Sequence, residues 1–327
     1  MHIQILTPAP PGSRAGNRAT AERWATLLEN AGHRVSVITG LSSEDCDLFI
    51  ALHAWRSHEA IREFRRINPA VPVITVLTGT DIYHHQIEYP DDTHKSMALA
   101  DSLIGLHHGV ADDIPEAYRS KLITVLQSAG LITPSRTDDP YFDVCVIGHL
   151  RDEKDSLRAA LACHYLPEDS RVRVYNAGKP HSEHWRRQAE AEQARNPRFQ
   201  WLGELEKPAT DGLMARSKVM VISSVMEGGA NVVSEACRAG LPILASDIPG
   251  NRGLLGNDYA GYFRVKDEQH LAELLHRVET SPDYLAELQQ QVTKLASEFV
   301  PEAEQKALLL AIDAAVANSK KRLSPED

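Results

Sequence analysis

Short, almost continuous apolar runs alternate along this chain with segments whose apolar residues recur at helical spacing. In the first half the runs are "IQILTP" (3–8), "RVSVIT" (34–39), "DLFIALH" (47–53), "PVITVLTG" (72–79), "SLIGLH" (102–107) and "KLITVL" (121–126). They are short, rich in Val and Ile, and do not alternate polar with apolar. Strands of a parallel sheet covered on both faces read this way. Between the first two, "NRATAERWATLLENA" (17–31) carries apolar residues near helical spacing and is closed by Gly32, which predicts a helix. Repeated strand–helix–strand order predicts an α/β domain with a parallel sheet.

Residues 128–141, "SAGLITPSRTDDPY", interrupt the pattern with polar residues and two prolines and predict a linker. The alternation then restarts with "FDVCVIG" (142–148), "RVRVYNAG" (171–178), "FQWLGEL" (199–205), "KVMVISS" (218–224), "LPILAS" (241–246) and "GYFRV" (261–265). The expectation is two doubly wound, Rossmann-like domains, 1–134 and 135–300. A last helix, about 301–318 within the tail 301–327, would pack back on the first domain. The strand ends would face a central cleft, where ligands bind in such sheets.

Length fits this organisation, since 327 residues are comfortable for two cores. A net charge of −10 argues against a nucleic-acid surface, because neutralising phosphates needs a basic face. No apolar run approaches the ~20 residues of a membrane span. The start, "MHIQILTPAP", lacks the charged beginning and longer apolar run of a signal peptide. Cys46, Cys145, Cys163 and Cys237 show no CxxC or Cys/His spacing and fit small buried hydrophobes of a reducing compartment. A cytoplasmic protein with small-molecule substrates follows as the expectation, with no membrane or nucleic-acid partner and no metal or cofactor. Its oligomeric state stays open.

Polar groups gather at the predicted strand ends. "TPAPPGSRAGNRAT" (7–20) joins strand one to helix one. Gly12 and Gly16 permit close backbone approach, the helix start offers free N–H groups to an anion, and Arg14, Asn17 and Arg18 add donors. The spacing matches neither GxGxxG nor a P-loop, and a capped flexible loop has the same composition. "ALHAWRS" puts His53 and Arg56 after strand three, and "LTGTDIYHH" puts Thr78, Thr80 and Asp81 after strand four. Asp81 can equally be a helix N-cap, and His53 a structural histidine. In "GHLRDEK" (148–154) a strand ends at Gly148, and Arg151 and Lys154 suit a diphosphate, although Asp152, Glu153 and Asp155 would also make an ordinary charged turn.

The densest constellation is "EGGANVVSE" (227–235). A strand delivers Glu227; Gly228 and Gly229 let the backbone approach a ligand; a helix starts near Ala230, with Asn231, Val232 and Glu235 in its first turns. The helix start aims N–H groups at a phosphate. Were the stretch fully helical, the two Glu Cα atoms would lie ~12 Å apart. That is about the reach from a sugar, across a diphosphate, to a ribose. Two glutamates at this spacing are common by chance; the combination strand, Glu, two glycines, helix, Glu is specific.

"EGGANVVSE" resembles the E-x7-E motif of retaining family 4 glycosyltransferases of the GT-B fold. "GHLRDEK" resembles their G-R-L-x-x-x-K donor-phosphate motif, with His149 where Arg is usual, Arg151 as its substitute, and Lys154 matching. Together with "TPAPPGSRAGNRATAERWA", "ALHAWRS", "LTGTDIY", "WLGEL" and "ASDIPGNRGLLG", the chain over most of its length resembles the selenosugar synthase family of selenoneine biosynthesis. The resemblance implies transfer of a sugar from UDP-N-acetylglucosamine or UDP-glucose to selenophosphate, with a new C–Se bond. Arg151, Lys154 and Glu227 would then be catalytic. Gly148, Gly228, Gly229, Ala230, Asn231, Val232 and Glu235 would join them around the donor. Gly16, Asn17, Arg18, Arg14, His53, Arg56, Thr80 and Asp81 would hold the acceptor. Alternatives sharing the donor site are an ordinary GT-B transferase with a hydroxyl or thiol acceptor, a UDP-sugar epimerase or hydrolase, and a non-catalytic binding protein.

Overall fold

The computed structural model describes residues 1–13, 16–137 and 140–324. The chain divides into two units, Met1–Gln127 with Pro301 onward, and Ser128–Val300. All twelve apolar runs form strands. In the first unit these are β1 (His2–Leu6), β2 (Arg34–Ile38), β3 (Leu48–Leu52), β4 (Val73–Leu77), β5 (Ser102–Gly105) and β6 (Leu122–Thr124). They pair in parallel in the order β2-β1-β3-β4-β5-β6, with Ile3 opposite both Val35 and Leu48, and Phe49 opposite Val73. Every residue of β3 and β4 is buried, as the unbroken apolar runs require of a sheet covered on both faces.

One face packs Ile3, Ile5, Ile50 and Ile74 against Trp24 and Leu28 of the helix Gly16–Asn30, and against Leu308, Ala311 and Ile312 of the helix Pro301–Leu323. On the other face Phe49 stacks on Phe64 with ring centroids 4.0 Å apart. The helix Gly16–Asn30 ends where the sequence places its stop: Gly32 has φ +85°, and the His33 N–H donates to the Leu28 carbonyl at 3.1 Å. The last helix is latched to this unit at both ends. Buried Glu304 accepts from Trp24 Nε1 at 2.7 Å and Arg23 Nε at 2.9 Å. Asn318 Nδ2 donates to the Asp101 carbonyl at 3.0 Å, and Arg322 Nε to its Oδ1 at 2.8 Å. These two anchors carry the helix past residue 318.

The second unit holds β7 (Phe142–Ile147), β8 (Val172–Ala177), β9 (Phe199–Trp201), β10 (Val219–Ile222), β11 (Ile243–Ser246) and β12 (Tyr262–Phe263). They are parallel, in the order β12-β11-β10-β7-β8-β9. The segment after Gln127 lies along this unit. The Ala129 N–H donates to the Phe299 carbonyl at 3.0 Å, the Ser135 N–H to that of Ala215 at 2.9 Å, and Arg238 Nε to that of Ala129 at 3.2 Å. Residues 128–134 therefore group with the second unit rather than the first. The four cysteines are free, and burial pushes the thiols of Cys145 and Cys163 up to about 12. No helix among the described residues is long and apolar enough to cross a membrane.

In each sheet the winding direction reverses once, between β1 and β3 in the first unit and between β7 and β10 in the second. In open α/β sheets, loops leaving the C-terminal ends of strands at such a reversal diverge and open a crevice.

Candidate functional site

At the second sheet's reversal, β7 leads into Gly148 and the turn carrying Lys154, and β10 leads into Glu227. The two loops are tied together. The Ser223 hydroxyl donates to the Asp155 carbonyl at 2.8 Å, and the Val225 N–H to that of Glu153 at 2.9 Å. This places Lys154 Nζ 2.5 Å from Glu227 Oε1, which also accepts from the Ser224 hydroxyl at 2.5 Å. The Ser224 carbonyl accepts in turn from the Ser246 hydroxyl at 2.5 Å, and Asn251 Nδ2 donates to Ser246. Gly250 lets the following helix, Pro249–Leu255, press on this loop: a Cβ there would lie 2.2 Å from the Glu227 carbonyl oxygen. Ser223, Ser224, Ser246, Asn251 and Gly250 were not singled out from the sequence. Their signals in the sequence are the serine pair ending "KVMVISS" and the stretch "ASDIPGNRGLLG", which holds Ser246, Gly250 and Asn251.

Residues 227–230 are not helical, so the fully helical spacing of the two glutamates does not occur. The helix is Asn231–Arg238, with extended Ala230 as its N-cap and Val232 and Glu235 in its first turns. Gly228 is buried and Gly229 half-buried before it. The geometric reason is that Glu227 is still held at the strand end by Ser224 and Lys154. Glu235 Oε1 lies 3.2 Å from Lys207 Nζ, which also pairs with Asp211. Burial acts against the Lys207 ammonium, but Glu235 and Asp211 outweigh it and raise its pKa. Arg151 is half-exposed, 3.7 Å from Glu153, with its Nε buried and without a hydrogen-bond partner. Both glutamates of the motif thus face a lysine in the free protein. A diphosphate sugar can take over such ion pairs: its phosphates replace the carboxylate at Lys154, and its hydroxyls replace the lysines at the carboxylates.

At the first sheet's reversal, the loop after β1 leads to Gly16 and Asn17 at a helix start. Arg18 Nε donates to Glu22 at 2.6 Å, leaving its buried Nη1 without a partner. Arg14 lies outside the described residues. After β3, His53 sits at φ +74°, a conformation that costs a non-glycine residue energy and that clusters at functional sites. Arg56 is exposed beside it. After β4, Asp81 opens a π-helical turn, Asp81–His85. It is wholly buried. Its Oδ1 accepts from the Trp55 N–H at 3.0 Å and lies 2.7 Å from His53 Nδ1. Its Oδ2 accepts from the N–H groups of Ala54 and Thr78 and from the Thr78 hydroxyl, at 2.8–3.0 Å. His53 Nε2 lies 3.1 Å from Thr80 Oγ1, which lies 3.2 Å from Thr78 Oγ1.

Asp81 is therefore no helix cap but the centre of a charge-centred network. Burial alone would raise its pKa; His53 and the amides of Trp55 and Thr78 overcome this and lower it. His85 stacks on Trp55 at 4.3 Å, and burial, then the charge of His53, drive its pKa down to about 4. His53, Asp81 and His85 each present an atom within 4.8 Å of the others, as metal ligands would. Both Asp81 oxygens, however, are already committed to hydrogen bonds, and His53 Nδ1 is turned towards one of them.

The model of the family described as glycosyl transferases group 1 matches residues 132–299, 168 of the 327 positions. The chain belongs to that family, and its fold is GT-B. A sugar-bound structure of Anabaena HepE, in complex with UDP and glucose, superposes with a TM-score of 0.75 at 16% identity, covering 96% of this chain and 100% of that one. The sucrose-phosphate synthase of Thermosynechococcus elongatus gives 0.76 at 14%, covering 97% and 99%. A glycosyltransferase from Rickettsia africae gives 0.70 at 12%, covering 96% and 98%.

Proposed function

We propose that this protein transfers a sugar from UDP-N-acetylglucosamine or UDP-glucose to selenophosphate. The observation that carries the donor half is the Lys154–Glu227 pair across the reversal of the second sheet. Family membership and HepE, whose structure holds UDP and glucose, support the same reading. In it Lys154, with Arg151, offsets negative charge building on the departing diphosphate. Glu227 accepts hydrogen bonds from the sugar and Glu235 from the ribose. Gly148, Gly228, Gly229 and the N–H groups of Ala230, Asn231 and Val232 cradle the phosphates.

The acceptor half rests on the resemblance and on the chemistry of the first unit's loops. Selenophosphate is a small, already nucleophilic anion, so it calls for a cationic, hydrogen-bonding cradle more than for a strong base. Gly16, Asn17, Arg14, Arg18, His53, Arg56, Thr80 and Asp81 supply one, with Asp81 acting through His53. Selenium attacks the anomeric carbon, the C–Se bond forms, the bond to the diphosphate oxygen breaks, and UDP leaves with that electron pair. No metal is required by this scheme.

The test is UDP release from UDP-N-acetylglucosamine and UDP-glucose, with and without selenophosphate, with mass spectrometry of the products. A selenium-bearing sugar formed only when both substrates are present supports the proposal. UDP release without selenophosphate points to hydrolysis or epimerisation. Turnover with a hydroxyl or thiol acceptor alone retains the donor half and overturns the acceptor half. Arg18→Ala should raise the KM for selenophosphate about tenfold or more, the scale of a lost charge-assisted hydrogen bond, while UDP affinity holds.

A further inference from the structure

Strands β7 and β8 end side by side, and their loops continue in contact. Leu150 bridges to Pro180, and a Cβ on Gly178 would lie 1.8 Å from the Gly148 carbonyl oxygen, so this close approach requires glycine. The contact brings His149 and His181 together with ring centroids 5.7 Å apart. His149 is fixed. The Lys179 N–H donates to its Nδ1 at 3.2 Å, and its carbonyl accepts from the Ser156 hydroxyl at 3.0 Å. The proton of the neutral ring therefore sits on Nε2, and a second proton on Nδ1 displaces the Lys179 N–H, so His181, at an exposed position, takes the larger share of any charge.

The charges facing the pair are mostly positive. Arg151 and Lys154 come from the turn after β7 and Lys179 from the loop after β8, against Glu153 and Glu204. Burial, then His181, Arg151 and Lys154, lower the pKa of His149, with Glu204 opposing. Burial, then Arg151 and Lys179, lower that of His181, with Glu153 opposing. Both rings are neutral above their ordinary titration range near 6.5. An arriving diphosphate brings two negative charges to the cations that hold the rings neutral, and so favours the imidazolium form.

We propose that His149 and His181 are a proton-linked part of the donor site, where binding of a nucleotide sugar draws a proton from solvent onto the pair. Donor affinity then rises as pH falls. An arginine at position 149 would be charged at every pH and take up nothing. The histidine standing in the phosphate-binding turn thus makes donor binding pH-responsive. The inference rests on the donor half of the proposed function.

The test is calorimetric titration with UDP-glucose, without acceptor, in pairs of buffers of equal pH and different ionisation enthalpy. The diphosphate of a nucleotide sugar does not ionise near neutrality, so any uptake belongs to the protein. Uptake of at most about one proton is expected near pH 6.5, fading as pH rises, with Kd falling by up to about tenfold per unit drop in pH where uptake occurs. His181→Gln, at an exposed position, should reduce the uptake. The pair His149→Gln/His181→Gln should abolish it while weaker binding persists, and His149→Arg with His181→Gln should bind with no pH dependence. Binding without proton exchange, or uptake that survives in the double variant, overturns the inference and leaves the donor reading standing. Absence of binding to both UDP-glucose and UDP-N-acetylglucosamine overturns the donor reading, and this inference with it.

Discussion

At the reversal point of the first sheet, both oxygens of Asp81 are fully engaged by amides, a hydroxyl and an imidazole, and the carboxylate is sealed from solvent. At that of the second sheet, Glu227 pairs with Lys154 and accepts from Ser224, Glu235 pairs with Lys207, and Lys207 is largely exposed. The same topology thus carries two kinds of polar site. One is a locked network that sets His53, in a strained backbone conformation, against a buried carboxylate. The other is a set of ion pairs that a ligand can exchange. A locked site suits orientation of a small group; an exchangeable one suits a large, charged donor that must enter and leave.

Asp81→Asn should show the locked site's weight most strongly. It leaves His53 and four donors facing a neutral amide, and breaking a buried pair of this kind costs about 3–5 kcal/mol. Urea denaturation would measure it. The pH dependence has a defined sign. Because the folded pKa of Asp81 is lowered, its contribution is present above the unfolded carboxylate value of about 3.9 and is lost as pH falls through the folded value. The variant's stability should therefore fall less steeply in acid than the wild type's. A loss below about 1 kcal/mol, the size of an exposed pair, would erase the contrast between the two sites.

Lys154→Ala tests the exchangeable site. If Lys154 meets charge that grows as the diphosphate departs, kcat should fall about 10²–10³-fold with little change in KM. An equal rise in KM and no change in kcat would make Lys154 a ground-state contact only.

How far the sequence shows these sites differs for the same physical reason. Strand runs and loop glycines are local patterns, so all twelve strands and the motif Glu227–Glu235 are visible in them. The partners that set each residue's state come from distant segments. Lys154 meets Glu227 only because β7 and β10 are neighbours, and Lys207 meets Glu235 from another helix. Asp81 looks like an N-cap in isolation because nothing local shows that His53 and the amides of Ala54 and Trp55 converge on it. The early start of the second unit is hidden likewise, since the 128–134 segment has a linker's composition and gains its partners from Phe299 and Arg238.

Glu235 and Lys207 give the smallest expected effects and the finest test. If Glu235 accepts from ribose hydroxyls as proposed, Glu235→Ala should weaken UDP binding about tenfold or more. The loss should shrink when the 2′-deoxy nucleotide is used, because the missing partner is then absent from the ligand too. Lys207→Met removes the lysine that faces the same carboxylate. Lys207 is largely exposed, so its pair with Glu235 is screened and weak, and on the proposed reading the ribose displaces it. UDP affinity should therefore change by less than about threefold, the span of an exposed ion pair. Raising the salt concentration should narrow even that difference. If Lys207→Met instead matches the loss of Glu235→Ala, the lysine remains in the bound state as a phosphate or ribose contact. The second site would then be as locked as the first.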